Sequence, residues 1–257
     1  MKLNCALLPG FGCSLESGIR KIHEMGFAAI EVVCEHPFFN VNEYSKHEDL
    51  LKKLKKELSL EFTVHAPFTC EFYSHVDPVF RKYLHKMVEK SAEFAKNLDS
   101  EILVVHGGMI PAINYLFHSR ENSVGLFVDE LKPLVGKNPD LKICLENLSR
   151  PQYIGHTVKE CKAILDMIPA LGFCWDVPHS FVGGILEDFI KSDLKVDYVH
   201  ISDSDTIEDR HWPLGRGKVP WKIVKESLDK KGYRGYVVFE CRSIQDVAKS
   251  REYWNEL

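Results

Sequence analysis

Residues 61–106 read EFTVHAPFTCEFYSHVDPVFRKYLHKMVEKSAEFAKNLDSEILVVH, and this stretch decides the fold. It opens on a short apolar run ending in His65 and closes on a second, 101–106, ending in His106. Between them Val79, Phe80, Tyr83, Met87, Val88, Ala92, Phe94 and Ala95 mostly recur at three or four residues, with Lys, Arg and Glu interspersed. That period predicts an amphipathic helix over 78–98. Asp77 stands where an N-cap belongs, and Pro78 suits the first helical position because its missing N–H would have had no intrahelical partner. The unit is therefore strand, helix, strand. Its strands are too uniformly apolar to face water on either side, as in a sheet covered on both faces.

The same unit repeats outward in both directions. Strand-like runs are expected at 3–8, 28–33, 61–65, 101–106, 142–146, 172–176, 196–201 and 236–240. Helical segments fall near 14–25, 42–58, 78–98, 122–135, 157–167, 185–192, 221–231 and 244–254. Eight strands, each followed by a helix, point to a closed (β/α)8 TIM barrel of the α/β class. The length of 257 residues is close to the roughly 250 that one such barrel needs, so 1–257 is expected to form a single domain. An open dinucleotide-binding sheet would want G-x-G-x-x-G after the first strand, and Pro9-Gly10-Phe11-Gly12 does not supply it.

Composition narrows the setting. Apolar residues make up 45% and charged residues 27%, as in soluble globular domains, and no apolar run nears the roughly 20 residues that span a bilayer. The first residues lack a secretory leader's apolar region and cleavage site, so a cytoplasmic protein with no membrane partner is expected. Eight cysteines occur without a C-x-x-C pair, which favours reduced core thiols over disulfides. The net charge of -4 offers no global attraction to nucleic acid. Bound divalent ions would reverse the sign locally, so a phosphate substrate is not excluded.

Barrel enzymes carry their chemistry at the C-terminal ends of the strands. Here those ends are His65, His106, Glu146, Asp176 with His179 three residues on, His200 and Glu240, and Asp209-Arg210-His211 follows the seventh strand. A lone histidine there is usually a hydrogen-bonding residue, and a lone carboxylate can cap a helix. Six consecutive strands ending in such residues suggest a metal site instead. Imidazole with carboxylate suits zinc, manganese or iron and requires no thiolate.

These residues resemble the endonuclease IV and xylose isomerase-like barrel superfamily (AP endonuclease family 2) over nearly the whole chain. The phrases that carry the resemblance are Val-His-Ala-Pro at 64–67, Glu-Asn at 146–147, Asp-x-x-His at 176–179 and Asp-Arg-His-Trp-Pro-Leu-Gly-Arg-Gly at 209–217. Likeness to endonuclease IV implies up to three Zn2+ ions. One would sit on His65, His106 and Glu146, and a second on Glu146, Asp176, His200 and Glu240. The third would sit on His179, Asp209 and His211. The implied activity is phosphodiester hydrolysis on abasic DNA, or on a smaller phosphoester, by a metal-bound hydroxide. Glu146 and Glu240 would be the catalytic carboxylates, with Asn147, Arg210 and Arg216 near the substrate.

The isomerases and epimerases of the same superfamily imply an alternative. They resemble this chain at Glu146, Asp176, His200 and Glu240, use one Mn2+, Mg2+ or Co2+ ion, and act on sugars or sugar phosphates. There two glutamates move protons at carbons beside a carbonyl. A barrel that only binds metal is a third possibility. The loops favour neither enzyme: Phe38, Phe39, Phe72 and Tyr73 could wedge into DNA or wall a small pocket, and Glu71 would oppose a phosphate backbone. The Leu-Lys-Lys-Leu-Lys-Lys run at 51–56 reads as a solvated helix face.

Overall fold

A computed structural model describes residues 1–8, 12–35, 43–68, 74–117 and 119–257. The expectations resting on Phe38, Phe39, Glu71, Phe72, Tyr73 and the 9–11 turn lie outside the described residues. Eight parallel strands pair in sequence order, β1 with β2 through to β8, and β8 closes on β1. The strands are β1 (Lys2–Leu7), β2 (Ala29–Val33), β3 (Glu61–His65), β4 (Ile102–His106), β5 (Lys142–Glu146), β6 (Gly172–Asp176), β7 (Tyr198–Ile201) and β8 (Tyr236–Phe239). All eight expected strands are present, their ends shifted by no more than two residues.

The helices are α1 (Leu15–Glu24), α2 (Ser45–Leu58), α3 (Pro78–Asn97), α4 (Asn114–Phe117), α5 (Arg120–Lys137), α6 (Val158–Met167), α7 (Val177–Val182), α8 (Leu186–Lys191), α9 (Trp221–Lys230) and α10 (Ile244–Glu256). Asp77 caps α3 as the sequence predicts, its carboxylate accepting from the Val79 amide. In α2, Leu51 and Leu54 are buried and the lysines between them face outward, Lys52 pairing with Glu48. Two short helices, α4 and α7, were not expected. No described helix is long and apolar enough to cross a membrane.

Alternation along each strand divides the apolar residues into two clusters. One joins the outer faces of the strands to the helices. The other is smaller and lies in the barrel lumen: Ala6, Ala29, Val33, Ile102, Val104, Cys144, Cys174, Tyr198, Tyr236 and Val238. In β3 to β7 the strand residues of that same parity nearest the C-terminal ends are polar: His65, His106, Glu146, Asp176 and His200. Pairing register brings them side by side, with His106 opposite Glu146 and Asp176 opposite His200. Seven cysteines among the described residues are free, and all but Cys13 are buried.

Candidate active site at the barrel mouth

Three of the expected carboxylates converge on one atom of a fourth expected residue. The Nδ1 of His200 lies 3.3 Å from a Glu146 oxygen, 3.5 Å from Glu240 and 3.9 Å from Asp176. It is buried with no hydrogen-bond partner. Glu146 is the hub. Its Oε2 lies 3.1 Å from His65 Nε2 and 3.4 Å from His106 Nε2, and its Oε1 lies 3.1 Å from His179 Nδ1. Asp209 stands beside them, 2.8 Å from His211 Nε2 and 3.5 Å from His179 Nε2. All nine residues therefore share the barrel mouth.

Local structure accounts for each placement. Asp176 ends β6 and caps α7, its Oδ1 accepting from the His179 amide at 2.5 Å. One turn of helix thus carries His179 back over the carboxylate. Asn147 joins the neighbouring strand ends, donating to the Asp176 carbonyl at 2.9 Å and accepting from the Asp176 amide at 2.8 Å. Gly107 follows His106 at a point where a Cβ would lie 2.5 Å from the Ile154 carbonyl oxygen, so the 148–156 segment can pack against the end of β4. After β7, the buried Asp203 carboxylate accepts from the amides of Ser204, Gly215 and Val219. This folds the loop back so that Asp209 and His211 face the mouth. His211 takes a left-handed backbone (φ 50°), uncommon for a residue with a Cβ. Its Nδ1–H donates to the Glu240 carbonyl at 2.8 Å.

The electrostatics are those of a site that holds protons where a cation would otherwise sit. Burial, reinforced by Glu146, Asp209 and Glu240, pushes Asp176 up to about 8 against the opposing pull of His179. Burial also raises Glu240, helped by Glu146 and Glu31 and opposed by His200 and His211. Burial alone would lower His65, but its hydrogen bond and charge contact with Glu146 win and hold it up at about 9. His211 is likewise held at about 9, burial being outweighed by Asp209. Glu146 resists the rise that burial would bring, because His106 and His200 hold it well below the usual range. His106 moves the other way, since burial dominates there.

This donor set fits a divalent metal. Ligand-type atoms within 4.8 Å of one another occur as His65–His106–Glu146, as Glu146–Asp176–His179 and as Glu146–Cys174–His200. A fourth group is Glu31–His200–Glu240. The expected third trio, His179–Asp209–His211, is not among these groups within the described residues, although Asp209 contacts both histidines.

The mouth opens into a cavity of about 660 Å³ lined by Leu8, Val33, His65, Phe68, His106, Glu146, His179, Asp209, His211, Glu240 and Arg242. Arg210 and Arg216 are not part of this lining. Arg210 pairs with Asp205 at 3.0 Å and Glu208 at 2.6 Å, and the Arg216 guanidinium lies over the Trp212 ring at 4.6 Å. Asn147 is fully buried between strands. Two residues escaped the sequence reading. Arg242, exposed and with no ion pair among the described residues, follows Glu240 by two positions. Glu31 sits in the middle of β2, fully buried, with its carboxylate 3.2 Å from His200 Nε2. The signal for Glu31 was a carboxylate inside an apolar run, where such a residue is rare unless paired.

Comparison with known proteins places the chain among barrels of this kind. An uncharacterized protein of Methanocaldococcus jannaschii is 28% identical over 267 residues, covering 100% of this chain and 89% of the relative. Fructoselysine 3-epimerase of Escherichia coli O157:H7 is 22% identical, covering 88% of this chain and 85% of that enzyme. The crystal structure of a D-tagatose 3-epimerase-like protein superposes with a TM-score of 0.85 at 28% identity, covering 100% of this chain and 96% of the other. The IOLI protein, solved with a zinc atom bound, shares the fold with a TM-score of 0.81 at 18% identity, covering 98% and 96%. These activity names are epimerases, and they overturn the expectation of an endonuclease IV-like phosphodiester hydrolase acting in DNA repair. The physical reason is that, by residue type alone, a set such as Glu146, Asp176, His200 and Glu240 suits either chemistry. The guanidiniums of Arg210 and Arg216, expected near the substrate of either chemistry, are turned to Asp205, Glu208 and Trp212 instead. The match to the xylose isomerase-like TIM barrel family runs from residue 19 to residue 257, and the chain belongs to that family of enzymes.

Proposed function

We propose that the chain, acting as one domain over 1–257, is a metal-dependent epimerase of ketose-type sugars. The observation that carries this reading is that Glu146 and Glu240, both lining the 660 Å³ cavity, approach one unpartnered His200 nitrogen to 3.3 and 3.5 Å. Glu146, Asp176, His200 and Glu240 would hold one divalent ion; Mn2+, Mg2+, Co2+ and Zn2+ all suit this oxygen-rich set with one imidazole. When bound, such an ion supplies Lewis-acid polarisation of the substrate's carbonyl and neighbouring hydroxyl oxygens.

The protein's own groups do the rest. One glutamate takes the proton from the carbon beside the carbonyl, and the electron pair of the broken C–H bond moves into an enediolate. The other glutamate returns a proton to the opposite face of that carbon, inverting its configuration. Their environments already push the two apart, Glu146 toward the ionised form and Glu240 toward the protonated form, as an acid–base pair requires. His65, His106, His179, Asp209 and His211 line the remaining wall and can hydrogen-bond sugar hydroxyls. The free, buried thiols suit a reducing compartment, so the proposed setting is the cytoplasm.

The test is proton exchange. The chain loaded separately with each of these ions should be incubated in D2O with D-tagatose, D-allulose, D-fructose and fructoselysine and followed by NMR. The expected result is interconversion of one epimer pair with a single deuterium at the inverted carbon. Inversion without deuterium, or no exchange with any metal, would rule against the two-glutamate mechanism.

A further inference from the structure

We infer that Glu31 is a positioning residue that fixes which nitrogen of His200 faces the metal position; the inference rests on the metal-binding part of the proposed function. The histidines around the mouth are oriented in two ways. His65, His179 and His211 each place Nδ1 against a backbone carbonyl, of Ala66 at 2.6 Å, Asn147 at 2.9 Å and Glu240 at 2.8 Å. Each can therefore donate Nδ1–H to the backbone and leave Nε2 with its lone pair toward the site. His200 is reversed. Its Nδ1 faces Glu146, Asp176 and Glu240, and its Nε2 meets no carbonyl but the Glu31 carboxylate, at 3.2 Å.

Both partners are completely buried, at 0% exposure. An ionised carboxylate taken out of water costs several kcal/mol unless a donor faces it, and the Nε2–H of His200 is the donor that the structure provides. With a cation bound and the ring's one proton on Nε2, Nδ1 would turn its lone pair to the position that the three carboxylates also face. A carboxylate behind a histidine also makes the other nitrogen a better ligand than a carbonyl would. Glu31 also falls in a ligand-type group with His200 and Glu240. Its contact is with the far nitrogen of the ring, which assigns it to holding His200 rather than to sharing its ion. The other Glu31 oxygen has no partner, so nothing else in the lumen competes for the carboxylate.

Two variants and one spectrum test this. In the Zn2+-loaded wild type, nitrogen-15 NMR of the His200 ring should show Nε2 carrying hydrogen and Nδ1 carrying none. The reverse pattern overturns the inference even if no variant folds. Glu31→Gln keeps the shape but can either accept from or donate to Nε2, so the tautomer is no longer dictated. Its Kd for Zn2+, measured against a chromophoric chelator, should rise about 10- to 100-fold. Glu31→Leu removes the acceptor altogether and should weaken Zn2+ at least as much. A purely structural carboxylate predicts instead that either folded variant binds Zn2+ within about threefold of wild type, and that result would overturn the inference. Neither readout depends on which sugar is turned over, so failure of the epimerase assay leaves this test intact.

Discussion

Stripping bound metal and following stability between pH 6.5 and 8 tests the electrostatics of the site. In the metal-free chain His65 and His211 are held up at about 9 and Asp176 at about 8. Each binds its proton more tightly in the folded chain than in the unfolded one. For the two histidines the resulting stabilisation is fully present below the unfolded value, near 6.5, and is lost as pH rises through about 9. For Asp176 the unfolded chain ionises near 3.9 while the folded chain keeps its proton to about 8, so stability falls as pH climbs between those values. The signs agree among these three, and His179 and His200, also held up, act the same way; His106, pushed down by burial, opposes them in the lower part of the window. One excess proton changes stability by about 1.4 kcal/mol per pH unit, so a single retained proton removes about 2 kcal/mol between pH 6.5 and 8. Ionisation of the unfolded chain's cysteines, near 8.5, begins below pH 8 and adds a smaller loss common to both forms, so the site's share is the difference between the metal-free and metal-loaded chains. Urea denaturation after chelator treatment should show this loss, and the metal-loaded chain should not, because the cation replaces the protons. Calorimetric titration of Zn2+ into the apo-protein in two buffers of different ionisation enthalpy should show at least one proton released per ion. An apo-protein whose stability is flat or rises from pH 6.5 to 8 would refute the reasoning.

Other consequences are simpler to read. Glu240→Gln should lower epimerisation by about 10²- to 10⁴-fold with little change in the folded circular dichroism spectrum; retention of more than a tenth of the rate would remove Glu240 from proton transfer. Gly107→Ala should destabilise the chain by about 1–3 kcal/mol, since its Cβ would meet a backbone oxygen that cannot rotate away. A melting temperature unchanged to within a degree would mean that the 148–156 segment shifts freely. Arg242→Ala should raise KM severalfold while sparing kcat, because the side chain lines the cavity away from the glutamates' proton transfer. Arg210→Ala, outside that lining, should leave both constants near wild type, and a reversed pattern between the two arginines would misplace the substrate.

The sequence and the structure agree where a repeated physical signal exists and part where a residue acts alone. The β/α alternation was legible because each strand carries its own apolar run and each helix its own period. The strand-end histidines and carboxylates were legible because the barrel sets one rule for all eight strands. Asp176 shows the limit of that rule: the same carboxylate ends β6, caps α7 and faces His200, and sequence spacing cannot rank these roles. Glu31 was missed because strand periodicity weighs apolar neighbours, and a single buried carboxylate looks like an interruption until its partner, 169 positions away, is seen beside it. The substrate was the least legible part. Nine ligand-type residues tipped the reading toward a trinuclear phosphoesterase, yet residue types record which atoms can hold a cation and not which bond the cation helps to break. What separates the two chemistries is the surroundings. A phosphodiester backbone needs guanidiniums that reach it, and the arginines of the 209–217 phrase are committed to Asp205, Glu208 and Trp212. A sugar needs two carboxylates across one carbon and a wall of hydrogen-bonding groups. On the proposed reading Glu146, Glu240 and the histidines around them would supply that arrangement, and loop-borne substrate contacts vary on this scaffold far more freely than its strand ends do.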